Sequence, residues 1–227
     1  MKRIAMVSAL LLALSGCNVK VGSGGNASGN ESDATAAQPA MTHFVNSRAN
    51  ARSEVLQQHY VDFSFDYPAD WQIAPQSAGD QARNYVNLIA AAKAGARLPY
   101  AMNFGHAYGT GNAEYDRVEM ARALPAIAQQ FGQSWADYQI ISTGADRVGN
   151  YDSHNWRFSA RTTDADAARV YGRGDIILPP GSTRGLLIVS LATEASDVQN
   201  AAQVGESGPI KAIHDSLRLE MPPPPDK

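Results

Sequence analysis

Val61, Phe63, Phe65 and Tyr67 alternate with Tyr60, Asp62, Ser64 and Asp66. This two-residue period is the strongest constraint on what the chain can fold into. It specifies an extended strand with one apolar face, which must lie against a core. Pro68 stops it, and Trp71 to Ala74 begins a further short strand. Tyr85 to Ala91 suits a strand too, although its alanines also suit a helix. Tyr100, Met102, Phe104, His106 and Tyr108 alternate with small residues and give a strand with an aromatic face. Gly109 to Asn112 breaks it.

A different period follows. Met120, Leu124, Ile127 and Phe131 recur at helical spacing within Asp116 to Phe131, which predicts one amphipathic helix. Pro125 inside it removes a backbone bond and predicts a kink or a split. Tyr138 to Arg147, Tyr151 to Arg161, Ala168 to Leu178 and Leu186 to Leu191 are then four strands. The second carries Trp156, Phe158 and Ala160 on one face. The last is apolar on both faces, as a central strand is. Ser207-Gly208-Pro209 opens a final helix with Ile210, Ile213 and Leu217 inward. Strands joined by tight turns pair antiparallel. The expected fold is α+β, an α-β-α sandwich of mainly antiparallel sheet covered by helices.

The N-terminus constrains location. Lys2 and Arg3 precede an apolar run from Ile4 to Leu14, and Leu14-Ser15-Gly16-Cys17 closes it. Basic, apolar and small residues in that order make a secretory signal. Eleven residues at about 1.5 Å each fall short of a ~30 Å hydrocarbon core. The tetrapeptide resembles the lipobox of bacterial lipoproteins, which implies a thioether-linked lipid on Cys17. Cys17 is the only cysteine, so an intramolecular disulfide is ruled out and the fold must rest on its core. Asn rather than Asp at position 18 favours the outer over the inner membrane by the same resemblance.

Asn18 to Ala40 is rich in Gly, Ser, Asn and Ala and buries too little surface to offset its ordering entropy. The expected organisation is a signal peptide over 1–16, a lipidated flexible tether over 17–58 and a folded domain over 59–220. A Pro-rich tail occupies 221–227. Residues 41–58 show no clear period, with a helical tendency near Arg48 to Gln58. Loss of Lys2 and Arg3 on processing leaves 17 basic against 22 acidic side chains, a net of −5. That acidity argues against a nucleic-acid partner.

Phe63-Ser64-Phe65-Asp66-Tyr67-Pro68-Ala69-Asp70-Trp71 resembles the opening of PsbP-like domains: an aromatic strand, Tyr-Pro, two residues and Trp. Ile210 to Leu219 resembles the terminal helix of the same family, whose members include small bacterial lipoproteins of the DcrB type. The resemblance covers about Tyr60 to Leu219. It implies a domain that binds macromolecules or stabilises complexes, with no shared catalytic set. Phe65, Tyr67 and Trp71 carry over as fold residues.

Chemistry is sparse. His43, His59, His106, His154 and His214 show no metal-ligand spacing, so no metal or cofactor is expected beyond the lipid on Cys17. His154 near Asp152 suggests a turn cap, and His214 beside Asp215 is expected on the wet side of its helix. There is no G-x-S-x-G elbow. Gly109-Thr110-Gly111-Asn112 could offer N–H groups to an anion but lacks a Walker lysine; an ordinary loop is the simpler reading. Asp164 and Asp166 share a loop without the calcium-loop pattern. Tyr100, Phe104, His106 and Tyr108 are the candidate ligand face, and Trp135, after the helix, is the candidate contact for a protein partner. Two functions follow: a membrane-tethered, non-enzymatic scaffold for an envelope protein complex, or a periplasmic binder of a small ligand or ion.

Overall fold

Leu186 to Leu191 lies at the centre of a seven-stranded sheet, in a strand buried on both faces from Gly185 to Ala192. The computed structural model describes residues 40–92, 96–163 and 167–220. Cys17, the preceding leader, Asp164, Asp166 and the Pro-rich tail lie outside the described residues. Along the chain, β1 (Met41–Val45) and a 3-10 turn (Arg48–Asn50) lead into α1 (Glu54–Gln58). Then come β2 (Asp62–Pro68), β3 (Gln72–Ile73), α2 (Ala78–Gln81), β4 (Asn84–Ile89) and β5 (Tyr100–Tyr108). After α3 (Ala113–Gly132) follow β6 (Ala136–Val148), β7 (Tyr151–Arg161), β8 (Arg169–Ile177) and β9 (Arg184–Thr193). A second 3-10 turn (Ala201–Gln203), α4 (Gly208–Ser216) and β10 (Arg218–Glu220) end the fold.

The large sheet runs β3-β4-β5-β9-β8-β7-β6, and a small one runs β1-β2-β10. Every pairing is antiparallel. The fold is α+β, with an antiparallel sheet covered on both faces. One face carries α3. On the other, the small sheet and α4 share the covering layer.

Residues 41–58 correct the expected tether. They are folded from β1 onward, because Phe44 inserts into the core and stacks on Phe65 at 5.0 Å. Leu56 of α1 is fully buried beside it in the same core. Ser53 caps α1 by accepting from the Leu56 N–H at 3.2 Å, the usual role of a serine there.

Two cores follow from the two faces. Beneath the small sheet, Phe63 and Phe65 of β2 stack on Phe104 of β5 at 5.7 and 4.5 Å. Beneath α3, Leu124, Ala128 and Phe131 meet Trp156 and Phe158. Pro125 neither splits α3 nor is buried: the helix is continuous, and Pro125 and Ala121, whose carbonyl it leaves without a helical donor, are both exposed. Water can take that bond.

Two glycines make the second core possible. Gly172 pairs across the sheet with Phe158, and Gly174 with Trp156. A Cβ at Gly172 would lie 2.0 Å from the Phe158 ring, and one at Gly174 would lie 2.2 Å from the Trp156 ring. Both rings are fully buried and cannot swing aside. Gly172→Ala and Gly174→Ala should therefore each cost about 1–3 kcal/mol in chemical denaturation. Gly144→Ala is the control, because a Cβ there meets nothing within 4 Å. It should be neutral to mildly stabilising.

Candidate functional site

Alternation places Tyr100, Met102, Phe104, His106 and Tyr108 on one face of β5, but that face lies under the small sheet. Phe104 is fully buried between Phe63 and Phe65. The four expected ligand residues therefore do not form one site; Phe104 separates two ends. At one end Tyr100 stacks on Trp71 at 5.8 Å and donates a hydrogen bond to Asp197. Burial and Asp197 push its phenol up to about 12.

The other end is a rim cluster. His106 Nε2 and the Tyr108 hydroxyl are 2.7 Å apart. His59, the C-cap of α1, stacks on His106 at 5.8 Å and meets Tyr108 edge-on at 4.1 Å. Tyr85 fixes the His59 backbone by donating to its carbonyl. Arg184 of β9 is opposite Tyr108 in the sheet register. Burial, with the Arg184 charge second, lowers the pKa of His59. Burial also lowers that of His106. Both imidazoles are thus neutral at pH 7, each with one donor and one acceptor nitrogen. Two neutral imidazoles, a phenol and a guanidinium can hold a polar or aromatic small molecule by hydrogen bonds and stacking. His59 had no signal in the sequence, being one residue at the end of a five-residue helix.

A second constellation is buried. Arg157, Arg173 and Ser190 form one row across β7, β8 and β9, on the face toward α4. Arg173 is bidentate on Asp175, with Nε to Oδ2 at 2.7 Å and Nη2 to Oδ1 at 3.0 Å. Asp175, wholly buried, also accepts from Ser153 at 3.0 Å and Asn155 at 3.1 Å. Arg157 donates to the Ala201, Ala202 and Val204 carbonyls at 2.9–3.1 Å. It also pairs with Asp146 at 3.2 Å and with Glu206. His214 corrects the expectation of a wet position. It is 3% exposed, and its Nε2 is 3.1 Å from the Ser190 hydroxyl. The signal was present: His214 is four residues after Ile210 and three before Leu217, on the apolar stripe itself. A serine beside a histidine resembles a nucleophile and its base, but Ser190 is fully buried and the Asp175 carboxylate is committed to Arg173. The pair works as structure.

The Gly109–Asn112 loop holds an anion of its own. The Asp116 carboxylate accepts from Thr110 N at 2.8 and 3.0 Å, Thr110 Oγ1 at 2.7 Å and Gly111 N at 3.2 Å. The donors an external phosphate would use are taken. Trp135 is half-buried and packs on Phe131 and Phe158 at 6.3 and 6.2 Å; it leans into the core under α3 rather than standing out as a contact. His154 is half-buried on β7, its pKa lowered by burial and then by Arg117. Among the described residues no three His, Cys, Asp or Glu side chains converge as a metal site would require.

No family model and no curated protein sequence matches the chain. Among solved structures it is similar to the cyanobacterial PsbP (CyanoP) of Synechocystis sp. PCC 6803. The TM-score is 0.48 at 9% identity, over 84% of this chain and 98% of that one. It is also similar to LpqN of Mycobacterium tuberculosis, described as involved in cell envelope biogenesis. There the TM-score is 0.47 at 10% identity, over 79% of this chain and 91% of that one.

Asp175→Leu removes the bidentate partner of buried Arg173, leaving it only the looser pairings with Asp146 and Glu206 at 3.3 Å, and should cost about 3 kcal/mol by urea denaturation. The double variant Arg173→Met/Asp175→Leu should recover only part of that loss, since it removes the unmatched charge but leaves the Arg147 carbonyl without its donor and Ser153 and Asn155 without their acceptor. Burial holds the His214 pKa at about 4, against an ordinary 6.5. Between those values the unfolded chain binds more protons than the folded one. Stability should therefore fall as pH drops from 6.5 to 4, by about 3 kcal/mol in all from this group. In His214→Gln the fall over that window should be smaller by a comparable amount. Equal pH dependence in the two proteins would show that His214 is not the buried neutral base described.

Proposed function

We propose that this chain is a lipid-anchored protein of the bacterial envelope whose domain is a non-enzymatic binding or scaffold module for an envelope protein complex. One observation carries the reading: the polar groups able to do chemistry are spent on each other. Asp116 fills the glycine loop, Arg173 and Asp175 pair in the core, and Ser190 and His214 close on one another beneath α4. What this leaves toward solvent is contact surface. The lipobox-like Leu14-Ser15-Gly16-Cys17 supports the anchor. The first described strand begins at Met41, 24 residues beyond Cys17. A flexible segment of that length would have a reach of about 25 Å, holding the domain close to the bilayer. Asn18 favours the outer membrane.

The rim of His59, His106 and Tyr108 supports a second reading, a small-ligand module, because its imidazoles are neutral and half-exposed beside Arg184.

Three measurements test these readings. Cys17→Ser should abolish incorporation of labelled palmitate and move the protein from the membrane pellet to the soluble fraction. Persistence in the pellet would refute the lipid anchor. In-cell crosslinking should join the anchored protein to a defined envelope protein, while a thermal-shift screen of metabolites and ions leaves the melting temperature unmoved. A saturating ligand at one hundred times its dissociation constant would add about 2.7 kcal/mol. Such a shift, lost in His59→Ala/His106→Ala, would favour the second reading.

A further inference from the structure

Arg184 differs from the other arginines around it. Arg157 and Arg173 in the core, and Arg117 and Arg122 on α3, each meet a carboxylate. Arg184 meets none among the described residues. It is exposed, and its Nη1 donates to the Tyr60 carbonyl at a loose 3.4 Å. Its place is fixed by register: it lies directly opposite Tyr108. Opposed residues leave the sheet on the same face with Cβ atoms about 4.5–5.5 Å apart. Arg184 therefore rises beside Tyr108, against whose ring His59 stands edge-on at 4.1 Å. The charge felt at His59 is that of Arg184. Asp62 and Glu220 act instead at the Tyr60 hydroxyl, together with Arg48. The His59 ring nitrogens make no hydrogen bond to any described residue, so a neutral imidazole N–H is there to donate.

We propose that this rim is a carboxylate-binding site, with the Arg184 guanidinium and the His59 imidazole N–H as its donors. A guanidinium fork takes the two oxygens of a carboxylate side by side, and no acid of the rim competes for it. The half-exposed rings of His59, His106 and Tyr108 give the rest of the bound group a flat surface to lie on. The inference rests on the binding role proposed above and names what is bound there. The carboxylate comes from an aspartate or glutamate of the envelope partner or from a free small acid, and the second arm of the test tells these sources apart.

The first arm titrates sodium benzoate into the full chain carrying Cys17→Ser at neutral pH, with the histidine ring signals followed by NMR. Those of His59 and His106 should shift together and saturate with a Kd of about 1 mM, as suits a ligand of that size. His43 and His154, elsewhere on the fold, should stay still. At that affinity dilute metabolites leave the melting temperature unmoved. Benzamide, the same shape without the charge, should bind about tenfold more weakly. Arg184→Gln should weaken benzoate about tenfold and leave benzamide alone, with Arg184→Lys between, since it keeps the charge and loses the fork. His59→Phe, which keeps a ring and removes the N–H, should weaken benzoate by a smaller factor. The second arm places a photo-crosslinker in cells by Val55→p-benzoylphenylalanine, at an exposed position one helical turn before His59. A partner's carboxylate gives a discrete protein adduct that Arg184→Gln abolishes. A free acid instead gives a carboxylic acid released on denaturing the purified protein, and absent from Arg184→Gln. Either result supports the site. Equal binding of benzoate and benzamide, or benzoate binding indifferent to Arg184→Gln, overturns the carboxylate and leaves the rim a binding site of another kind. Silence of His59 and His106 toward both probes overturns the site itself, and a crosslinked partner that ignores Arg184→Gln then leaves the scaffold reading standing. Benzoate binding with neither an Arg184-dependent adduct nor a released acid is binding at test concentration only, and also overturns it.

Discussion

The contact on which the rest of the structure depends is the stacking of Phe63 and Phe65 against Phe104. A seven-stranded sheet whose central strand is apolar on both faces needs two covers. α3 supplies one from a single long helix. The other is assembled from pieces distant in the chain: β1 and β2 from its start, α4 and β10 from its end. None of these could cover the sheet alone. β2 holds them together, pairing with β1 along one side and β10 along the other, with α4 packed beside it. The aromatic rings fasten β2 to β5 and so fasten the whole layer. Phe44 extends the stack to β1, which is why the chain before Tyr60 is part of the fold.

The same contact explains the fate of the aromatic face of β5. A strand face that anchors one sheet to another cannot also be an open binding surface along its length. Only its ends escape, and only the His106–Tyr108 end gathers further polar side chains, because α1 brings His59 over it.

Strands with a clean period were legible in the sequence. β2, β5 and β7 lie close to where alternation puts them, β9 lies where its run apolar on both faces puts it, and α3 carries its expected stripe. β1 was hidden because only Phe44 of its five residues is buried, so no alternation exists to detect. α1 and α2, five and four residues long, are shorter than a helical period can reveal and depend on tertiary contacts. The buried charges were hidden for a different reason. Alternation separates the two faces of β7 and β8 but does not say that both are covered, so Arg157, Arg173 and Asp175 resemble solvated residues until α4 and the turn before it are placed over them. Arg173 and Asp175, two apart on one strand face, were the available hint.

Burying that many charges is costly, and its structural return is specificity at the C-terminal end. The segment from Ala201 to Val204 presents three carbonyls to the sheet, and Arg157 satisfies all of them. Arg173 adds the Arg147 carbonyl at 2.8 Å, tying the β6–β7 turn to the same point. An apolar replacement for the two arginines would leave those carbonyls without donors in a buried place. Ser190 and His214 then fix α4 in rotation, and α4 delivers β10 to the free side of β2. The polar cluster thus sets the register of the last pieces of the aromatic-fastened layer. That is a use of serine, histidine and aspartate which needs no access to substrate.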